Sequence, residues 1–132
     1  MGQQQLLLII LGVIVVGIAI AVGVSQFGAN STQANKDGVT SSLVNIAANA
    51  YQFKIRPTSM GGGSGVYDNS KGASAAYSIP AKMVTDDNGT YALVSNAPQL
   101  CTIKGTSSIN TSWVATCTAD DTGKTTVSYV GW

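Results

Sequence analysis

One stretch constrains everything else this chain can do: residues 6–24 read LLLIILGVIVVGIAIAVGV, nineteen positions without a charge, a hydroxyl or an amide side chain. At 1.5 Å of rise per residue, a helix of that length measures about 28 Å, close to the ~30 Å hydrocarbon thickness of a bilayer. A helix that is apolar on every side has no face to offer water, so it needs lipid or other protein around it. No side-chain charge precedes the run, and the first one after it is Lys36. A bias of lysine and arginine therefore has little to act on in orienting the segment.

Three readings compete for this run. A cleavable secretory signal needs a basic leader and a shorter apolar core, and neither is present. A single-span anchor needs nothing more than the run itself. The third reading is a helix that waits in the membrane and later lines the centre of a filament. Glycine placement favours close neighbours: Gly12 and Gly23 lie eleven residues apart, about three turns, and Gly17 and Gly28 repeat that spacing on another face. Small residues let apolar helices approach closely.

The remaining composition narrows the chemistry. Of 132 residues, 45% are hydrophobic and 10% charged, and seven Lys and Arg against six acids give a formal charge of +1. So balanced a chain is not expected to bind nucleic acid, which demands neutralisation of many phosphates. All six acids are Asp, with no Glu and no His. Without imidazole, the commonest proton shuttle and metal ligand near neutral pH is missing. No enzyme activity, catalytic residue, metal or cofactor is expected.

Two segments follow: residues 1–40 as an apolar helix with its linker, and residues 41–132 as a globular head. After residue 24 the text turns polar, SQFGANSTQANKDGVTSS, and glycine costs about 1 kcal/mol against alanine inside a helix. This stretch is either a locally weakened helix or a short linker. From Ser41 onward Leu43, Ile46, Ala47, Ala50 and Lys54 recur at helical spacing, flanked by Tyr51 and Phe53. The amphipathic helix ends at Arg56, because Pro57 disfavours helical backbone before it. The GGGSG of residues 61–65 lacks the GK[ST] of a phosphate-binding loop and follows a helix rather than a strand, which makes it a flexible connector.

The last half alternates as strands do. Strands are expected at 75–79, closed by Pro80, at 82–85 and 90–94 about an Asn88-Gly89 hairpin turn, at 100–104 and 113–118, and at 124–130. Roughly 75 residues after Pro57 cannot bury much core unaided. The amphipathic helix is the natural cover, with Leu43, Ile46, Ala50 and Phe53 turned to one face of a four- or five-stranded antiparallel sheet. The fold class is therefore α+β, an apolar helix continuing into an amphipathic one packed on a small sheet. Trp113 belongs to the head's core, and Trp132 packs on the head or on a neighbour.

Cys101 and Cys117 are the only cysteines, sixteen residues apart in expected strands. Antiparallel pairing about a turn centred on Ile109 sets them face to face, and a disulfide is expected, with two reduced buried thiols as the alternative. Asn30, Asn88 and Asn110 begin N-x-[ST] triplets, read here as surface polar positions in a Ser- and Thr-rich chain. The aspartates at 68, 86, 87, 120 and 121 sit among Gly and Asn without calcium-loop spacing, and they read as turn formers.

Taken together, Gly2, the apolar run 6–24, the amphipathic run 43–56 and the cysteine pair near the C-terminus resemble the type IV pilins and pseudopilins. The resemblance covers the whole architecture. It implies cleavage after Gly2 by a prepilin peptidase, residence in the inner-membrane lipid, and extraction by a pilus assembly machinery into an extracellular filament of identical copies. The assembly helix would then use Gln5, Leu6, Leu7, Ile10, Gly12, Val16, Gly17, Ile20, Gly23 and Phe27. Family members carry a glutamate at the fifth mature residue; here that position is Gln5 if Met1 is retained and Leu7 if cleavage follows Gly2. The competing expectation is a membrane-anchored extracytoplasmic binding module whose helix serves only as a tether.

Overall fold

The computed structural model describes residues 2–132, which form one α-helix, α1 (Gly2–Ile55), two short 3₁₀ turns (Thr58–Met60 and Ala81–Met83) and four strands, β1 (Gly89–Ala97), β2 (Leu100–Ser107), β3 (Val114–Ala119) and β4 (Thr125–Val130). Two compact units divide it, one ending at Ala34 and one spanning Asn35–Trp132. The first unit is helix alone. The second unit is an antiparallel β1-β2-β3-β4 meander with the C-terminal part of α1 laid on it, an α+β arrangement.

Continuity of α1 decides between the two readings of the polar stretch after residue 24: it is helix, not a linker. The hydroxyls of Thr32 and Thr40 bond back to the carbonyls of Gly28 and Lys36, at 3.1 and 2.8 Å, so these residues do not compete with the helix. Gly38, a helix breaker by propensity, is a packing glycine here. The amide of Asn88 lies 2.5 Å from where its Cβ would stand.

Within the second unit α1 buries Asn35, Val39, Leu43, Ile46, Ala47, Ala50 and Lys54, a series spaced by three and four residues. The facing side chains come from alternate strand positions: Cys101, Ile103, Gly105 and Ser107 on β2, and Ala115, Cys117 and Ala119 on β3. Most of these are small, and that lets the helix lie close. A Cβ at Gly105 would stand 3.1 Å from both Val39 and the Tyr91 ring. Phe53 is partly buried against this core, as is Trp132. Trp113 stacks on Trp132 with centroids 5.3 Å apart, and the Trp132 indole donates to the Val114 carbonyl at 3.0 Å.

The glycine-rich stretch is not a flexible connector. Backbone N–H groups of Gly63, Ser64 and Gly65 donate to the carbonyls of Phe53, Arg56 and Lys54, closing the end of α1. Such carbonyls have no partner within the helix and must find one outside it. Glycine is required by crowding: a Cβ at Gly63 would stand 1.8 Å from the Val66 carbonyl oxygen.

Two expected strands are absent. Residues 75–79 form no strand; the Tyr77 N–H bonds to the Tyr67 carbonyl and the side chain turns into the core. Residues 82–85 give a single bridge, Thr85 to Thr90, because Pro80 leads into a 3₁₀ turn (Ala81–Met83) and Asp86 folds the next residues around its carboxylate.

The expected disulfide is also corrected, since both cysteines are free and buried. The β2-β3 register sets Cys101 against Ala119 and Cys117 against Ile103. The thiols are thus diagonal rather than opposed. Diagonal neighbours stand about 7–8 Å apart, whereas a disulfide needs Cβ atoms within about 4.5 Å.

Candidate functional site: an exposed apolar helix

Residues 6–24 carry fourteen large aliphatic side chains, and every one is at least half exposed, from 53% at Ile14 to 69% at Val24. None of the most apolar window is covered by the protein itself. Gln5, Leu6, Leu7, Ile10, Val16 and Ile20 are all exposed, and Phe27 is 76% exposed. Gly2, Gly12, Gly17 and Gly23 have open space where a side chain would be. The helix is long and apolar enough to cross a membrane. Its backbone groups bond internally, as a spanning segment requires.

Magnitude decides what this surface is for. Burying a leucine, isoleucine or valine side chain is worth about 1.5–3 kcal/mol. Covering the exposed parts of all fourteen would therefore be worth on the order of tens of kcal/mol. A surface apolar on every side is suited to an apolar surrounding rather than to water.

The second unit, by contrast, closes on itself through polar links, two of which start from buried helix residues. Asn35 accepts from the Ser107 hydroxyl and donates to the Asn88 carbonyl, tying the helix to the end of β2 and to the turn before β1. Lys54, 4% exposed, pairs with the Asp121 carboxylate and backbone carbonyl. The Asp86 carboxylate accepts from Ser42, Tyr91 and the N–H groups of Asn88 and Gly89. Burial alone would raise its pKa, but these four donors together hold it below the usual carboxylate value. The only visible signals in the sequence were that Asn35 and Lys54 continue the helical series and that Asp86 opens a turn.

Aspartate chemistry in the loops is turn chemistry. Asp68 accepts from the N–H and hydroxyl of Ser70, and Asp120 from Thr122 and Lys124. Both carboxyls are pulled below their ordinary pKa, chiefly by the Ser70 and Thr122 hydroxyls respectively. Among the described residues no group of three His, Cys, Asp or Glu side chains could hold a metal ion. Burial, with the neighbouring Cys117, pushes the Cys101 thiol up to about 11, and burial raises Cys117 as well. Such thiols are poor nucleophiles at neutral pH. Of the three N-x-[ST] asparagines, Asn30 stands exposed on α1, Asn88 is half-buried against Gly38, and Asn110 is exposed and bonded to the Ser112 N–H.

Comparison of the chain with protein-family models, with curated proteins and with solved structures finds no match.

Proposed function

We propose that this protein is the structural subunit of a type IV pilus-like filament, held in the membrane by residues 6–24 before assembly and packed through the same helix afterwards. The observation that carries this reading is the contrast between a helix uncovered on every side and a head whose core is already closed. Moving such a helix from lipid into a bundle of its own kind exchanges one apolar surrounding for another. Little hydrophobic energy opposes the transfer, and dispersion contacts between well-packed helices favour the bundle. Gly12, Gly17 and Gly23 keep the surface flat where neighbouring backbones come close. Gln5 offers an amide oxygen to a neighbour's terminal ammonium, a weaker contact than a carboxylate gives.

Mechanical shearing of cells, electron microscopy of the supernatant and mass spectrometry of the N-terminus test the reading together. Filaments made of this chain support it. Recovery solely as a detergent-solubilised monomer supports the other use of the same helix, as the tether of an extracytoplasmic binding module. The N-terminal mass distinguishes retention of Met1 from cleavage after Gly2.

A further inference from the structure

A cleft of about 390 Å³ opens in the head between the last turns of α1, Gly61 and residues 74–80. That volume falls in the range of small-molecule sites. Its apolar wall is Phe53, whose ring lies 5.6 Å from that of Tyr77 at an interplanar angle of 56°. Tyr77 is held rigidly: it is 4% exposed, and its hydroxyl donates to Asn49 Oδ1 at 3.0 Å. That bond, shared with the Ile46 carbonyl at 3.3 Å, fixes the amide's oxygen toward Tyr77 and leaves the Asn49 Nδ2 hydrogens available to a ligand. Arg56 is exposed, and its guanidinium has no side-chain hydrogen bond or ion pair with another described residue. Ser74 and Ser78 complete the polar lining, which contains no carboxylate.

The cleft therefore combines an aromatic wall, one unpaired cation and an excess of donors. We infer that it binds a carboxylate-bearing sugar, a uronic acid residue of an acidic polysaccharide. The guanidinium takes the carboxylate in a two-point, charge-assisted contact. The C–H face of the pyranose lies on the Phe53 ring, and the ring hydroxyls meet Asn49, Ser74 and Ser78. The negative end of α1 does not repel the anion strongly, because the carbonyls of Phe53, Lys54 and Arg56 are already bonded to Gly63, Gly65 and Ser64. Nothing in this assignment depends on whether the chain polymerises.

The test uses the full chain in detergent micelles, titrated calorimetrically with a galacturonic acid trisaccharide, its neutral galactose counterpart and a tripeptide with a free carboxylate. The acidic sugar should bind at least about tenfold more tightly than either control, the worth of one good charge-assisted contact. Arg56→Gln should erase the preference over the neutral sugar, and Arg56→Lys should restore only part of it, since the charge returns without the fork. Arg56 is exposed, so neither change threatens the fold. Equal binding of neutral and acidic sugars, tighter binding of the peptide, an unchanged preference in Arg56→Gln, or no binding of the acidic sugar would each overturn the assignment.

Discussion

The hydroxyl of Ser42, on the helix, donates to the carboxylate of Asp86 at 2.6 Å, and this bond clasps α1 to the turn that leads into β1. The same carboxylate takes the Tyr91 hydroxyl at 3.0 Å from each oxygen. One aspartate thus joins helix, turn and strand.

Asp86→Ala should lower head stability by about 1–3 kcal/mol, the range for lost hydrogen bonds to a charged group. The pKa of Asp86 is depressed in the folded state, so its ionised form stabilises the fold above the unfolded value near 4. That contribution is lost as pH falls from there through the folded pKa. Chemical unfolding of the full chain at a series of pH values below 5 should show a drop for the native protein and a shallower one for Asp86→Asn. Equal slopes would sink the idea.

Leu43→Ala and Leu7→Ala remove the same atoms from opposite environments. Leu43 is fully buried, and its loss should cost about 2–5 kcal/mol. Leu7 is 65% exposed within the protein, so head unfolding in urea should not change. Its effect should appear in membrane retention or filament yield. A similar fall in urea midpoint for both variants would contradict the division into a closed head and an open helix.

Lys54 and Asp121 predict an asymmetry. Asp121→Ala leaves a buried ammonium without its carboxylate and should cost about 3 kcal/mol or more. Lys54→Met leaves Asp121, whose side chain is 57% exposed, free to rehydrate, and should cost far less. Thermal midpoints of both variants and the double mutant check this; equal losses would rule it out.

Gly63→Ala should destabilise the head by about 3 kcal/mol through overpacking, because the new methyl would press on the Val66 carbonyl. Gly28→Ala, with open space at its Cβ, should instead strengthen the helix by up to about 1 kcal/mol. Circular dichroism melts separate the two. A stable Gly63→Ala would mean that the capping loop is as loose as its composition implied.

Alkylation under denaturing, non-reducing conditions should add two groups per chain, one each at Cys101 and Cys117. In the native state the reaction should be slow, since both thiols are buried and their pKa values raised. A chain that takes up no label would reinstate the disulfide.

Periodicity was sufficient for the long elements. Leu43, Ile46, Ala47 and Ala50 face the sheet, and the alternation through β2 and β3 is plain in the text of the chain. Misreadings came where one local contact outweighed composition. Propensity at Gly28 and Gly38 left a weakened helix and a linker both open, whereas the Thr32 and Thr40 back-bonds and the Asn88 amide fit a continuous helix. Placing the β2-β3 turn centre at Ile109 rather than Asn110 moved each cysteine from a diagonal to an opposed position. A register shifted by one position in a turn is invisible to pattern, because the alternation on either side is unaffected. The cleft beside Arg56 was equally hidden, since Asn49, Phe53, Arg56 and Tyr77 come together only once the capping loop turns the chain back.

Residues 25–34 of α1 are helical, and none is buried. Their stability rests on helix hydrogen bonds and on local side-chain bonds such as that of the Thr32 hydroxyl to the Gly28 carbonyl, not on burial. Under tension such a segment yields before a lipid-sheathed or sheet-packed one. Passing from about 1.5 to about 3.3 Å per residue, it lengthens by roughly 18 Å. A stretch of that size can be drawn out of the helix without disturbing any buried residue of the head.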